Sequence, residues 1–329
     1  MTRRRLLRVI ASCEAQAAFS PALHATSRRF FQRGVNFTSE GPRGYSAEVA
    51  KPMLQELAKY GVDAIALVPY AFSPKDVPEV RFGGGWESDV GIEQVAGVAH
   101  QLGMKVLLKP QVWVRSGSPG SIGFTSSAAL IQWFQQYRMY VEHQAGLATK
   151  IHADLFCVGV EFSQLTRYEE QWRRLISRVR GIYRGPLVYG ATQGPEFESI
   201  QFWDALDYIG LNDYYALPDD LNTDAVIECV KAVQARFRKP VILPEVGFCS
   251  YENPQREPWD ESPRRLSPSD QARCYEAVFR AFYRQPWFSG MYWWKIGTNG
   301  YGGVQDGSHT PWRKPAMEVV RKWYHAGSR

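Results

Sequence analysis

Apolar and polar positions fall into two alternating textures from residue 33 onward. One is short and densely apolar: VDAIALVPY (62–70), MKVLLKPQVW (104–113), DLFCVGVEFSQL (154–165), PLVYGAT (186–192), DYIGLNDYY (207–215), PVILPEVGF (240–248) and SGMYWWKI (289–296). Runs of this length, rich in β-branched residues and polar mainly near their ends, mark strands buried on both faces. RGVNFT (33–38) reads as a shorter strand. The second texture has helical spacing. It covers 46–61, where Ser46 caps, Glu48 favours the first turn and Gly61 ends the helix. It returns at about 90–102, 127–148, 168–183, from Thr223 or Asp224, after a cap at Ser269, and at about 314–325. Eight strands alternating with helical stretches, the last of which follows the final strand, predict an α/β protein with a single closed (β/α)8 barrel over residues 34–329. An open doubly wound sheet would need a glycine-rich phosphate turn after the first strand, and GVNFTSEGPRG contains no G-x-G-x-x-G.

In a (β/α)8 barrel the chemistry lies at the C-terminal ends of the strands. The polar residues there are Asn36, Lys109, Gln111, Glu161, Thr192, Asn212, Asp213, Tyr215 and Glu245, followed by Trp293 and Trp294. Strict alternation puts Glu161 on one face with Cys157 and Gly159, and Glu245 on one face with Val241 and Leu243. Two acids converging on the barrel mouth repel each other, so one holds its proton while the other stays ionised. A proton donor facing a nucleophile is what retaining glycoside hydrolysis uses, whereas a wider gap gives inversion. A single glutamate after a strand is more often a cap or an ion-pair partner, so the argument rests on the pair. Lys109 reads equally well as an ion-pair partner or a sugar contact. Of Trp293 and Trp294, adjacent in a strand, only one can face the mouth.

Composition changes this picture little. Aromatic residues make up 14% of the chain and include 11 tryptophans, which suits sugar stacking and core filling equally. Residues 1–33 carry seven arginines against Glu14, which accounts for the whole net charge of +6. The remainder is neutral, so charge gives no support for a nucleic-acid partner. This basic segment is a poor signal peptide, because Arg8 and Glu14 interrupt its apolar stretch. It reads as a tail or targeting segment, which leaves a secreted and a cytoplasmic location both open. No apolar run is long enough for a membrane span. The five cysteines form no CxxC pair and imply no disulfide framework. The six histidines fall mostly in the tail, in helices or at helix ends, and no H-E-x-x-H occurs, so no metal site or other cofactor is expected. GTNGYGGVQDG (297–307) is the one glycine-rich turn suited to phosphate, and it lacks a basic cluster.

The set FCVGVEFSQL, DYIGLNDYYAL, LPEVGF, GMYWWK and KPAMEVVRKWY, with KPQVW in the third strand and Pro-Trp at 258–259, resembles glycoside hydrolase family 113 over residues 34–326. The resemblance implies a retaining (β/α)8 glycosidase that cleaves β-1,4-mannans, mainly internally, without a metal. It implies Glu161 as acid/base, Glu245 as nucleophile and Tyr215 as the tyrosine hydrogen-bonded to the nucleophile. Trp294 would floor the sugar subsite at the cleavage point, with Asn212, Lys109 and Gln111 contacting sugar hydroxyls. Trp113, Trp86, Trp259 and Tyr251, on loops above the mouth, are candidate stacking platforms, and Asn36 is a further strand-end candidate. Two departures stand out. Val160 occupies the place where many clan members carry an asparagine, and the arginine of the second strand is absent from ALVPY.

The expected function is therefore hydrolysis of β-1,4-linked mannan or manno-oligosaccharides by double displacement. β-Mannosidase, xylanase or another β-glycanase activity would use the same scaffold. A non-catalytic carbohydrate-binding barrel is the alternative from another class. Oligomeric state is not legible in the sequence.

Overall fold

The computed structural model describes residues 31–326. The expected basic tail, residues 1–33, lies outside the described residues up to position 30. The first half of the chain contains β1 (Gln32–Thr38), α1 (Ala47–Lys59), β2 (Ala64–Leu67), β3 (Tyr70–Phe72), α2 (Asp89–Gln101), β4 (Lys105–Leu108), β5 (Gln111–Trp113) and α3 (Ser127–Lys150). Next come β6 (Leu155–Val160), α4 (Glu169–Ile182), β7 (Leu187–Thr192), α5 (Pro195–Ser199) and β8 (Ile209–Asp213). The chain closes with α6 (Asp224–Phe237), β9 (Val241–Val246), α7 (Pro268–Phe282), β10 (Phe288–Gly297) and α8 (Pro315–His325).

Eight strands form a closed barrel in the order β1-β10-β9-β8-β7-β6-β4-β2, and all neighbours are parallel. The two apolar runs at 62–70 and 104–113 each split. Pro69 and Pro110 lack the N–H a ladder needs. Past them the chain forms a separate parallel pair, β3 with β5, above the barrel rim. This extension carries Tyr70, Gln111 and Trp113 towards the mouth.

Helix starts follow local chemistry. The hydroxyls of Ser46, Ser88 and Ser126 accept from the N–H three residues on, at 3.3, 3.1 and 3.4 Å. Ser269 does not cap α7. Pro268 occupies the first turn with Ser267 before it, because proline's fixed φ suits the first helical position. Between β7 and β8 only the single turn of α5 and a short 3-10 segment stand in for a full helix.

The core has two layers. Ala64, Ala66, Leu107, Cys157, Val188, Ile242 and Tyr292 fill the barrel interior. Tyr292 fits because Gly34 has no side chain, since a Cβ there would lie 2.3 Å from the ring. Outside the barrel, strand residues such as Phe156, Val158 and Leu211 pack with helix residues. Trp133, Trp172, Trp203 and Trp293 are fully buried, so much of the tryptophan content is core.

Candidate active site

Both glutamates reach the barrel mouth, but strict alternation does not put them there. On β6, Leu155, Cys157 and Val160 face the interior, while Phe156 and Val158 face the helices. Three residues of β6 match two of β7 between Cys157↔Val188 and Val160↔Gly190. The extra residue is Gly159, whose Cβ would strike Trp172 and Tyr189 at 2.9 Å. The same device recurs on β9. Val241 and Leu243 pack against helices, Ile242 faces inward, and three residues of β9 match two of β8 between Gly210↔Ile242 and Asn212↔Glu245. Continued alternation from Leu243 would have put Glu245 under the helices. A bulge just before each glutamate re-aims its side chain. The shared faces expected for Glu161 with Gly159, and for Glu245 with Leu243 and Val241, are thus corrected.

Glu161 follows β6 directly and adopts φ +59°, a left-handed conformation that costs a non-glycine residue roughly 1–3 kcal/mol. Its N–H donates to Gly190 O at 2.8 Å, and its Oε1 accepts from Asn212 Nδ2 at 2.9 Å. Burial pushes its carboxyl up to about 8; repulsion from Glu245 adds to this, and the Asn212 hydrogen bond opposes it. Gly190 leaves room for that amide, because a Cβ would sit 2.9 Å from Asn212 Oδ1.

Glu245 is only 8% exposed and is held from three sides. Lys109 Nζ donates to Oε2 at 2.7 Å and Gln111 Nε2 to the same oxygen at 3.1 Å. Tyr214 Oη donates to Oε1 at 2.8 Å. The Lys109 ammonium also lies 5.0 Å from the Trp294 ring centre. Both glutamates line one cavity of about 220 Å³, together with Tyr70, Gln111, Trp113 and Val160. Tyr70 and Trp113 also line a second, open cavity of about 810 Å³ bordered by Glu40, Trp86, Glu87 and Lys295.

Several expected roles change. Tyr215 does not touch the nucleophile candidate. Along β8 and the residue after it, Gly210, Asn212 and Tyr214 share the inward face, which turns Tyr215 outward, where its hydroxyl accepts from Gly194 N–H at 2.9 Å and meets Cys229 Sγ at 3.2 Å. Tyr214 therefore replaces it. Asn36 is fully buried, and its Nδ2 donates to the carbonyls of Pro244 and Tyr292, so it braces β9 rather than meeting a ligand. Lys109 and Asn212 are both 0% exposed; Lys109 donates to Glu245 and Asn212 to Glu161. Gln111 holds Glu245 from the cavity wall. Trp113 is 52% exposed and lines both cavities. Trp294 faces inward, while Trp293 stacks on Tyr275 at 3.7 Å in the outer core. Asp213 points outward, and burial pushes its carboxyl up to about 7. Of the loop aromatics, Trp86 lines the large cavity, whereas Tyr251 is tied into its own loop by a bridge to Leu266. Among the described residues, no group of three or more His, Cys, Asp or Glu could hold a metal ion, and no helix is long and apolar enough to cross a membrane.

The family model for Glycoside Hydrolase Family 113 matches residues 35–310. A GH113 beta-mannanase from Alicyclobacillus acidocaldarius in complex with ManMIm is 31% identical, with TM-score 0.84 over 90% of this chain and 98% of that one. A GH113 beta-1,4-mannanase, solved as a complex, is 27% identical with TM-score 0.81 over 91% and 100% of the two chains. A family 5 mannosidase from Rhizomucor miehei, 14% identical with TM-score 0.59 over 90% and 93%, shares the fold. No match was found among curated protein sequences. With its closed barrel and a pair of glutamates across one cavity, the chain is a glycoside hydrolase and belongs to Glycoside Hydrolase Family 113.

Proposed function

We propose that the enzyme cleaves β-1,4-linked mannan or manno-oligosaccharides with retention, Glu161 acting as acid/base and Glu245 as nucleophile. The observation that carries the assignment is the asymmetry of the two carboxyls facing one cavity. One is pushed up to about 8 and keeps its proton at neutral pH. The other is ringed by an ammonium, an amide and a phenol that all donate to it. Glu245 attacks the anomeric carbon as Glu161 protonates the departing oxygen. Glu161 then takes a proton from water, which releases the sugar from Glu245. The substrate class is supported by the two family 113 relatives, both described as mannanases.

The open cavity of about 810 Å³ adjoins the catalytic one through Tyr70 and Trp113, which favours a chain of several sugars. Trp86 there is 53% exposed and offers a free ring face. A panel of β-mannan, β-mannoside, xylan and β-glucan with product sizing tests the reading. Rapid release of short manno-oligosaccharides is expected, and exclusive cleavage of another glycan would contradict it. Trp86→Ala should raise KM on long manno-oligosaccharides by a few-fold to about tenfold, the scale of one ring contact. Its kcat should stay near the wild-type value.

The raised carboxyl also fixes a pH dependence. Glu161 must be protonated to donate, so kcat/KM should be flat through neutrality and fall as pH rises past about 8. In Glu161→Gln that alkaline limb should vanish from the residual activity.

A further inference from the structure

A buried acid outside the reaction pocket holds the segment that carries the proton donor. Glu196, on α5, is 3% exposed. Its Oε1 accepts from Tyr189 Oη at 2.5 Å. Its Oε2 accepts from Thr192 N–H and Ser163 Oγ, both at 3.0 Å. Tyr189 Oη in turn accepts from Phe162 N–H at 2.8 Å. Residues 161, 162 and 163 are thus each tied to β7 or α5: the first through Gly190 O, the second through Tyr189, the third through Glu196 itself.

The left-handed backbone at Glu161 needs such a frame, since strain of that kind persists only where its surroundings over-determine it. A tyrosine hydroxyl has one proton. Given to Glu196, that proton leaves the oxygen lone pairs free to face Phe162 N–H. Without the Glu196 acceptor the hydroxyl can turn its proton elsewhere, and both the phenol and the Phe162 N–H lose their fixed partners inside the protein.

We propose that Glu196, acting through Tyr189 and Ser163, is a positioning residue that fixes the Glu161 backbone so that its carboxyl meets the departing glycosidic oxygen. Glu196 also adds to the repulsion that keeps the Glu161 proton in place. It touches neither substrate nor the reacting atoms. The inference rests on Glu161 being the proton donor, and the test separates the two.

The readout is the dependence on leaving group. A 2,4-dinitrophenolate departs without protonation, whereas a sugar hydroxyl does not. Two variants keep the site filled. Glu196→Gln retains one oxygen for Tyr189 but puts an amide against Thr192 N–H and Ser163. Tyr189→Phe removes only the hydroxyl. Both should unfold cooperatively, like the wild type. On mannohexaose their kcat/KM should fall by roughly 10- to 100-fold, the scale of a displaced catalytic group. On 2,4-dinitrophenyl β-mannobioside, where kcat/KM reports formation of the glycosyl-enzyme, it should be unchanged. Glu161→Gln is the control and should show the same split if Glu161 is the donor. Wild-type turnover of mannohexaose checks the substrate, and the variant-to-wild-type ratios on the two substrates check Glu196. Equal losses on both substrates, or none on either, with a passing control, would overturn the role of Glu196. A control without the split would overturn the donor assignment and this inference with it.

Discussion

Glu245→Ala should abolish turnover of β-mannan, with kcat lowered by at least roughly 10^4-fold, as removal of a covalent nucleophile does elsewhere. The alanine also strands Lys109. That ammonium is fully buried, and Glu245 is its carboxylate partner at 2.7 Å. Removing one partner of a buried pair costs about 3–5 kcal/mol, so a lowered melting temperature should accompany the loss. Glu245→Gln keeps its one oxygen for Lys109 and turns its amide N–H to Tyr214 Oη, which can accept, so it separates the two effects, giving equal loss of activity with less loss of stability. Added azide supplies a check on the role itself. A small anion that enters the space left by a missing nucleophile attacks from its side of the ring, so an activated β-mannoside should yield the α-glycosyl azide.

Glu161→Ala should lower kcat/KM on β-mannan by roughly 10^2- to 10^4-fold, the range for loss of a general acid. Formation of the glycosyl-enzyme from 2,4-dinitrophenyl β-mannobioside should be spared. Release of the sugar should then be slow, because no base activates water. Azide needs no base, so it should restore turnover and give the β-glycosyl azide, the opposite anomer to that from the Glu245 variant. Anomeric configuration by NMR thus assigns each glutamate independently of how large either loss is. The same anomer from both variants would remove the division of labour proposed here.

The barrel was legible because strands buried on both faces carry their signal in composition, and eight such runs in order admit few folds. The two glutamates were legible because each is the acidic residue at the end of an apolar run. How they come to face the pocket was not. Alternation from Cys157 points to Glu161 as observed, but only because a bulge at Gly159 and a left-handed turn at Glu161 offset each other. On β9 the face shared with Leu243 was the wrong one, and the bulge before Glu245 corrected it. Bulges leave little trace in a single sequence. Tyr214 and Tyr215 were interchangeable as a pair of letters. Their order could have been read from Gly210, Asn212 and Tyr214, which keep an unbroken period of two.

The polar residues at strand ends were found as a set, but their tasks were not. Lys109, Gln111 and Tyr214 converge on one carboxylate, and Asn212 on the other. Asn36 braces β9 through Pro244 O. A residue that holds a catalytic group and one that holds a sugar look alike in sequence, because both are polar side chains on the inward face. Glu196 was invisible for a different reason. It acts from a single helical turn after β7, and its link to residues 161–163 runs through Tyr189, which reads as an ordinary apolar-run residue.

Labelling with 2-deoxy-2-fluoro-β-mannosyl fluoride, followed by mass mapping of the digested protein, tests the roles of the two acids most directly. The C2 fluorine slows both attack and release, while the anomeric fluoride, a good leaving group, keeps attack the faster step, so one equivalent of sugar should accumulate on the peptide that contains Glu245, and activity should return as the label is discharged. Label on Glu161 or on any other residue, or a product of inverted configuration with no label at all, would contradict the assignment.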